Sequence, residues 1–112
     1  MACKIWKVIM ATDLTDKKKF PHYEVITVST NATEILLPSQ CNMVQIGCPT
    51  KQLFVGQNDS TDGQEIPADK RFFVPANNAY EVPIGRGQSR ATSIFVASSE
   101  GNATVYVALV EK

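Results

Sequence analysis

Apolar and polar positions along this chain alternate with a period of two in a series of short windows, and turn-forming residues separate the windows. The stretch Thr92 to Lys112 is the clearest. Ile94 and Val96 alternate with Ser93, Phe95 and Ala97, and Ser98-Ser99-Glu100-Gly101-Asn102 follows. Val105, Val107 and Leu109 then alternate with Thr104, Tyr106 and Ala108. Two period-two runs about a Ser/Gly/Asn turn predict a β-hairpin, because successive strand side chains point to opposite faces.

The same signal recurs upstream. Lys4 to Thr12 predicts a first strand with Trp6, Val8 and Met10 on one face. Ile5 and Ile9 make its other face partly apolar, as in a buried or interface strand. Asp13 to Lys19 reads as a polar loop that Phe20-Pro21 closes. Strands are expected at Tyr23 to Ser29, Thr33 to Leu37, Met43 to Cys48, Leu53 to Gly56, Arg71 to Val74 and Tyr80 to Ile84. In the fourth window Val44 and Ile46 oppose Met43, Gln45 and Gly47. Gln57 to Gln64 is a turn-rich loop, Pro75-Ala76-Asn77-Asn78 a turn, and Gly85 to Arg90 a flexible basic loop. Pro83 within the strand Tyr80 to Ile84 suggests an edge position for it, since proline cannot donate to a ladder. No window carries a helical period for more than two turns.

About eight or nine short strands in 112 residues predict a single all-β domain. The expected architecture is an antiparallel β-sandwich of jelly-roll type covering residues 1–112, with 1–22 as an added strand and loop, or an arm. The 44% hydrophobic content is enough for a core without metals or disulfides. Eleven basic residues balance eleven acidic ones, so the chain lacks the broad positive field of nonspecific nucleic-acid binding. A charge near zero also leaves copies free to associate. Lys7 interrupts the first apolar run early, and no run approaches a membrane span. Synthesis and retention in a cytoplasm, or packaging there, is therefore expected. Cys3, Cys41 and Cys48 are odd in number, which argues against a disulfide framework; Cys41 and Cys48 could face each other across a bend, but buried free thiols are the expected reading.

The inventory of reactive groups points away from catalysis. His22 is the one histidine, and no Gly-x-Ser-x-Gly elbow occurs. Zinc ligation lacks paired Cys/His spacings, and no cofactor is implied. Asn58, Ser60, Asp62, Gly63, Ile66 and Asp69 fall at calcium-loop spacing. Position one is neutral, however, and position twelve is Asp, so turn chemistry accounts for the same residues. Lys17, Lys18, Lys19, Arg86 and Arg90 could bind phosphate, although Asp13 and Asp16 lie beside the lysines. Phe72 and Phe73 are adjacent and point to opposite faces, so both rings are buried only if both faces are covered. Aromatics in strands, among them Tyr23, Tyr80 and Tyr106, are read first as core or interface.

From about Val25 to Lys112 the order of segments resembles small β-sandwich virion proteins of tailed bacteriophages. The stretches that carry it are Ala32-Thr33-Glu34-Ile35-Leu36-Leu37-Pro38, Val44-Gln45-Ile46-Gly47-Cys48 and Leu53-Phe54-Val55-Gly56. Gly63-Gln64-Glu65-Ile66-Pro67, Ser93-Ile94-Phe95-Val96-Ala97 and Val105-Tyr106-Val107 complete it. The resemblance implies a noncatalytic virion protein, foremost a capsid decoration or cement protein. It implies a homo-oligomer, commonly a trimer, that binds the major capsid protein or other virion proteins and neither nucleic acid nor membrane. A tail, neck or fibre-base component that binds a glycan or another virion protein is the alternative. Trp6, Lys17, Lys18, Lys19, Phe72, Phe73, Arg86 and Arg90 are the interface candidates.

Overall fold

A computed structural model of the chain describes residues 11–56, 60–85, 87 and 90–111. Among the described residues nine strands form two sheets. They are β1 (Thr12–Asp13), β2 (His22–Val28), β3 (Thr33–Leu36), β4 (Met43–Gly47), β5 (Leu53–Gly56), β6 (Arg71–Val74), β7 (Ala79–Val82), β8 (Ser93–Ser98) and β9 (Ala103–Val110). No α-helix occurs among the described residues, and Ala68–Lys70 makes a single 3-10 turn. The five-stranded sheet runs β1-β3-β8-β5-β6 and the four-stranded sheet β2-β9-β4-β7. Every pairing is antiparallel except that of β1 with β3.

Period-two patterning decides what each sheet buries. Val44 and Ile46 of β4 and Val105, Val107 and Leu109 of β9 fill the core from the four-stranded sheet. Ile35, Leu53, Val55, Val74, Ile94 and Val96 meet them from the five-stranded sheet. Each such side chain contributes roughly 1.5–3 kcal/mol of apolar burial, which makes this shared core the main favourable term. Leu14 is also buried in it, and its N–H bonds the Leu36 carbonyl at 3.0 Å. The expected polar loop Asp13–Lys19 is thus corrected at both ends of this pair: Asp13 closes β1 and Leu14 is core. Most of the expected first strand, Lys4 to Thr12, lies outside the described residues.

The largest correction concerns the C-terminus. β8 and β9 do not pair as a hairpin. β8 pairs with β3 and β5, whereas β9 pairs with β2 and β4. The segment 99–102 therefore carries the chain from one sheet to the other. Ser98 anchors the crossing, with its hydroxyl donating to the Glu100 carbonyl at 2.9 Å and accepting the Glu100 N–H at 3.0 Å. Lys51 Nζ donates to the Asn102 carbonyl at 2.9 Å, and Gly101 takes φ +61° within the turn. The alternation of Ile94 and Val96 with Val105, Val107 and Leu109 suits both geometries. In a hairpin these rows share one sheet face; here they meet across the core.

A second apolar cluster lies on the outer face of the five-stranded sheet. Phe95 and Ala97 point away from the main core, yet both are buried, packed with Ala32 and Ile66 against Phe54. The β5–β6 connection folds back to cover them. Its backbone is tied to the β2–β3 connection by Ala32 N–H to Gln64 O at 2.8 Å and Gly63 N–H to Ala32 O at 2.7 Å. Asp62 Oδ1 accepts the Glu34 N–H at 2.7 Å. The connection passes so close to the sheet that a Cβ at Gly56 would meet Ser60 Oγ. β8 is consequently buried on both faces, whereas β9 shows the one-sided alternation of a strand with an open outer face.

Leu109 is fully buried, and Leu109→Ala is expected to lower stability by about 2–5 kcal/mol through lost transfer energy and cavity formation. Urea unfolding followed by far-ultraviolet circular dichroism reads this directly; a loss below about 1 kcal/mol would remove β9 from the core.

Candidate functional site

The apolar surface, rather than a reactive cluster, sets this protein apart. Tyr23 is 72% exposed, Val25 57%, Tyr106 53%, Phe72 52% and Phe73 48%. Scattered single apolar residues are ordinary on a surface, so their grouping decides the matter.

Three of the five share the outer face of the four-stranded sheet. Tyr23 and Val25 point outward from β2, since β2 alternates between half-buried and exposed positions. Val25 is the register partner of Tyr106, and Tyr23 of Ala108. On the far side of β9, Gly47 opposes Tyr106 and Gln45 opposes Ala108. Ala79 and Glu81 of β7 continue these rows. The small side chains of Gly47, Ala79 and Ala108 leave a hollow of about 320 Å3 bordered by Tyr23, Val25 and Tyr106. β7 approaches β4 so closely that a Cβ at Gly47 would stand 2.9 Å from the Asn78 carbonyl.

Phe72 and Phe73 occupy a different setting. Phe72 pairs in register with Val55 and Phe73 with Phe54, so the two rings lie on opposite faces of β6. Phe72 points to the inner side at the open edge of the two sheets and stacks on Tyr80, with centroids 4.6 Å apart and planes 21° apart. Phe73 points outward and meets Phe54 at 6.2 Å. The Arg71 guanidinium lies 3.8 Å above the Phe54 ring and donates to the Ile66 carbonyl at 3.2 Å. Both faces of β6 are thus partly covered, and each ring stays about half exposed. A cleft of about 350 Å3 opens beside the Phe72–Tyr80 stack, with Asp69, Lys70, Arg71 and Ser93 on its wall.

The basic candidates are held separately. Arg90 belongs to the β7–β8 connection and reaches the β3–β4 connection. It donates to the Cys41 carbonyl from Nε at 3.0 Å and from one terminal nitrogen at 2.6 Å, and that nitrogen also reaches the Pro38 carbonyl at 2.5 Å. Its charge therefore ties two connections together. Lys17 lies 3.8 Å from Asp16, and Lys18 and Lys19 are exposed. Trp6 and Arg86 lie outside the described residues. The contacts of Arg90, the lysines and the two phenylalanines have no residue in common.

Three titratable settings complete the picture. Thr15 donates its hydroxyl to Asp13 Oδ1 at 2.6 Å and its N–H at 2.9 Å, which holds the Asp13 carboxyl below the usual range. That contribution to stability is present at neutral pH and fades as pH falls through the lowered value. Burial pushes the Cys48 thiol up, but N–H groups of Thr50 and Lys51, the Thr50 hydroxyl and the Lys51 charge outweigh it and set the thiol below its ordinary value. Cys41 and Cys48 are both free and buried, as the odd cysteine count leads one to expect. His22 Nε2 is 2.8 Å from Glu24 Oε1 at the edge of β2. Among the described residues no three His, Cys, Asp or Glu side chains converge on a point that could hold a metal ion. In the segment with calcium-loop spacing, Asp62 accepts a backbone N–H, Ile66 is buried, and Asn58 lies outside the described residues.

Compared with family models, curated proteins and solved structures, the chain matches none.

The tyrosine face was partly legible in the sequence. Tyr106 stands out of phase with Val105 and Val107, which already assigns it to the non-core side of its strand. That Tyr23 and Val25 lie beside it follows only from the pairing of β2 with β9, which no local pattern encodes.

Arg90→Met is expected to destabilise the fold by about 1–3 kcal/mol, because the carbonyls of the buried residues Pro38 and Cys41 lose a charged donor. Chemical denaturation measures it; an unchanged midpoint would mean that solvent replaces the guanidinium without cost.

Proposed function

We propose that this protein is a noncatalytic structural component of a virion, a decoration or cement protein that binds an assembled shell and stabilises the state it binds. The observation that carries the reading is the exposed apolar surface, with Tyr23, Val25 and Tyr106 on one sheet face and Phe73 on the outer side of the other sheet. Contiguous apolar surface of this kind is the mark of a contact surface between proteins. It leaves the molecule two faces with which to bridge neighbours.

The strand order supports a jelly-roll reading. From β2 onward the strand orders β2-β9-β4-β7 and β3-β8-β5-β6 are those expected of an eight-stranded double Greek key. Jelly rolls recur in viral capsid proteins, lectins and cupins, so this reading of the fold is compatible with a virion role without assigning it. The segment resemblance to tailed-bacteriophage virion proteins selects the first of these. The exposed Lys18 and Lys19 and the outer Phe73 side of the five-stranded sheet are the surfaces offered to the major capsid protein or another virion protein. In this reading the protein works as a homo-oligomer, needs no cofactor and resides in the particle.

The test is the protein's presence in purified particles. Quantitative mass spectrometry of gradient-purified virions from a producing culture should find it at a fixed copy number per major capsid subunit. Its absence from particles, with the protein abundant in the lysate, would end the virion reading.

One observation favours a second reading, glycan recognition. Phe72 stacks on Tyr80 and stays half exposed beside a cleft walled by Asp69, Lys70 and Ser93, the mix of ring and hydrogen-bonding groups that a sugar uses. Glycan-array binding abolished by Phe72→Ala would favour it; array silence of the folded protein would dismiss it.

A further inference from the structure

The outer face of the four-stranded sheet combines three properties. It is apolar, with Tyr23, Val25 and Tyr106 each more than half exposed. It carries little charge: of the described residues that β2, β9, β4 and β7 turn outward, Glu81 alone is charged at neutral pH. It also presents projections and a recess on one surface, because the tyrosines border the hollow left by Gly47, Ala79 and Ala108. A further recess against Asn77 and Asn78 continues beside Tyr106.

These properties select an occupant. A nucleic acid or a strongly acidic partner would find no cation to pair with among the described residues of the face. A strongly basic partner would find two carboxylates among the described residues, Glu81 on the face and Glu24 in the lining of the hollow. A neutral apolar surface with complementary relief remains, and a second copy of this chain presents one at the same concentration. An isologous contact requires each patch to match itself after a twofold rotation, and a face that carries both rings and recess can do so. Because the face is nearly uncharged and the whole chain has no net charge, two copies meet there without like-charge repulsion.

We propose that the outer face of the four-stranded sheet is a twofold self-association surface, in which Tyr23 and Tyr106 of each copy seat against the Gly47–Ala79–Ala108 hollow of the other. The two sheets would lie back to back, and the five-stranded sheets with their Phe73 faces would point outward on both sides. A closed dimer follows from the geometry of the face, independently of any virion role.

Multi-angle light scattering behind a sizing column, run over a concentration series, tests it. The wild-type chain should elute at twice the 12.3 kDa chain mass. Tyr106→Glu should weaken dimerisation at least about tenfold, since aromatic residues at the centre of an interface dominate its energy. Tyr23→Glu on the edge strand β2 provides a second variant should Tyr106→Glu misfold, and circular dichroism checks both. Phe73→Glu, on the other sheet, should leave the dimer intact. A wild-type monomer at every concentration overturns the proposal and hands the face to another partner. So does a trimer, or any assembly that folded Tyr106→Glu and Tyr23→Glu leave unchanged.

Discussion

The inward row of β9 is the contact on which the rest of the structure depends. Ala103, Val105, Val107 and Leu109 are all buried, and β9 hydrogen-bonds on both sides, to β2 and to β4. It is the last strand in sequence and central in its sheet. β2 and β4, which are not paired with each other, depend on it for their ladders. The same row meets Ile94 and Val96 of β8 from across the core. Without it the four-stranded sheet loses its middle and the five-stranded sheet loses its cover.

With the inner faces matched, the outer faces determine how the molecule meets its surroundings. The five-stranded sheet has its outer apolar residues roofed by its own chain, with Ile66 lowered onto Phe95 and Ala97 and pinned by Asp62, Gly63 and Gln64. The four-stranded sheet has no described segment over Tyr23, Val25 and Tyr106. One chain thus solves the same problem in two ways, with an internal roof on one side and an open face on the other. The contrast is the physical basis for assigning contact to the open side, because burying those rings gains the free energy that the roof already gains for Phe95.

The strands themselves were readable in the sequence, because period-two alternation reflects a local rule that each sheet face imposes. Met43–Gly47, Leu53–Gly56 and Arg71–Val74 emerge within a residue of the pattern, and Pro83 correctly marks β7 as an edge. Pairing was not readable. Ser99-Glu100-Gly101-Asn102 has hairpin chemistry, yet it serves a crossing between sheets, since a polar turn with a glycine at positive φ suits both. Phe95 and Ala97 gave the one hint: a strand with apolar residues on both faces demands two covers, which a two-stranded ribbon cannot supply. Leu14 was missed because a lone leucine among charged residues has no period to report its burial. Arg90 was missed as a structural tie because its partners are main-chain carbonyls 49 and 52 residues away, which side-chain types do not encode.

Cross-strand nuclear Overhauser contacts of β9 test the central claim most directly. The account predicts contacts of Val105, Tyr106 and Val107 with Ile26, Val25 and Glu24 on one side, and of Tyr106 and Val107 with Gly47 and Ile46 on the other. Backbone contacts pairing β9 with β8 through the 99–102 turn, in place of these, would restore the simple hairpin and contradict it.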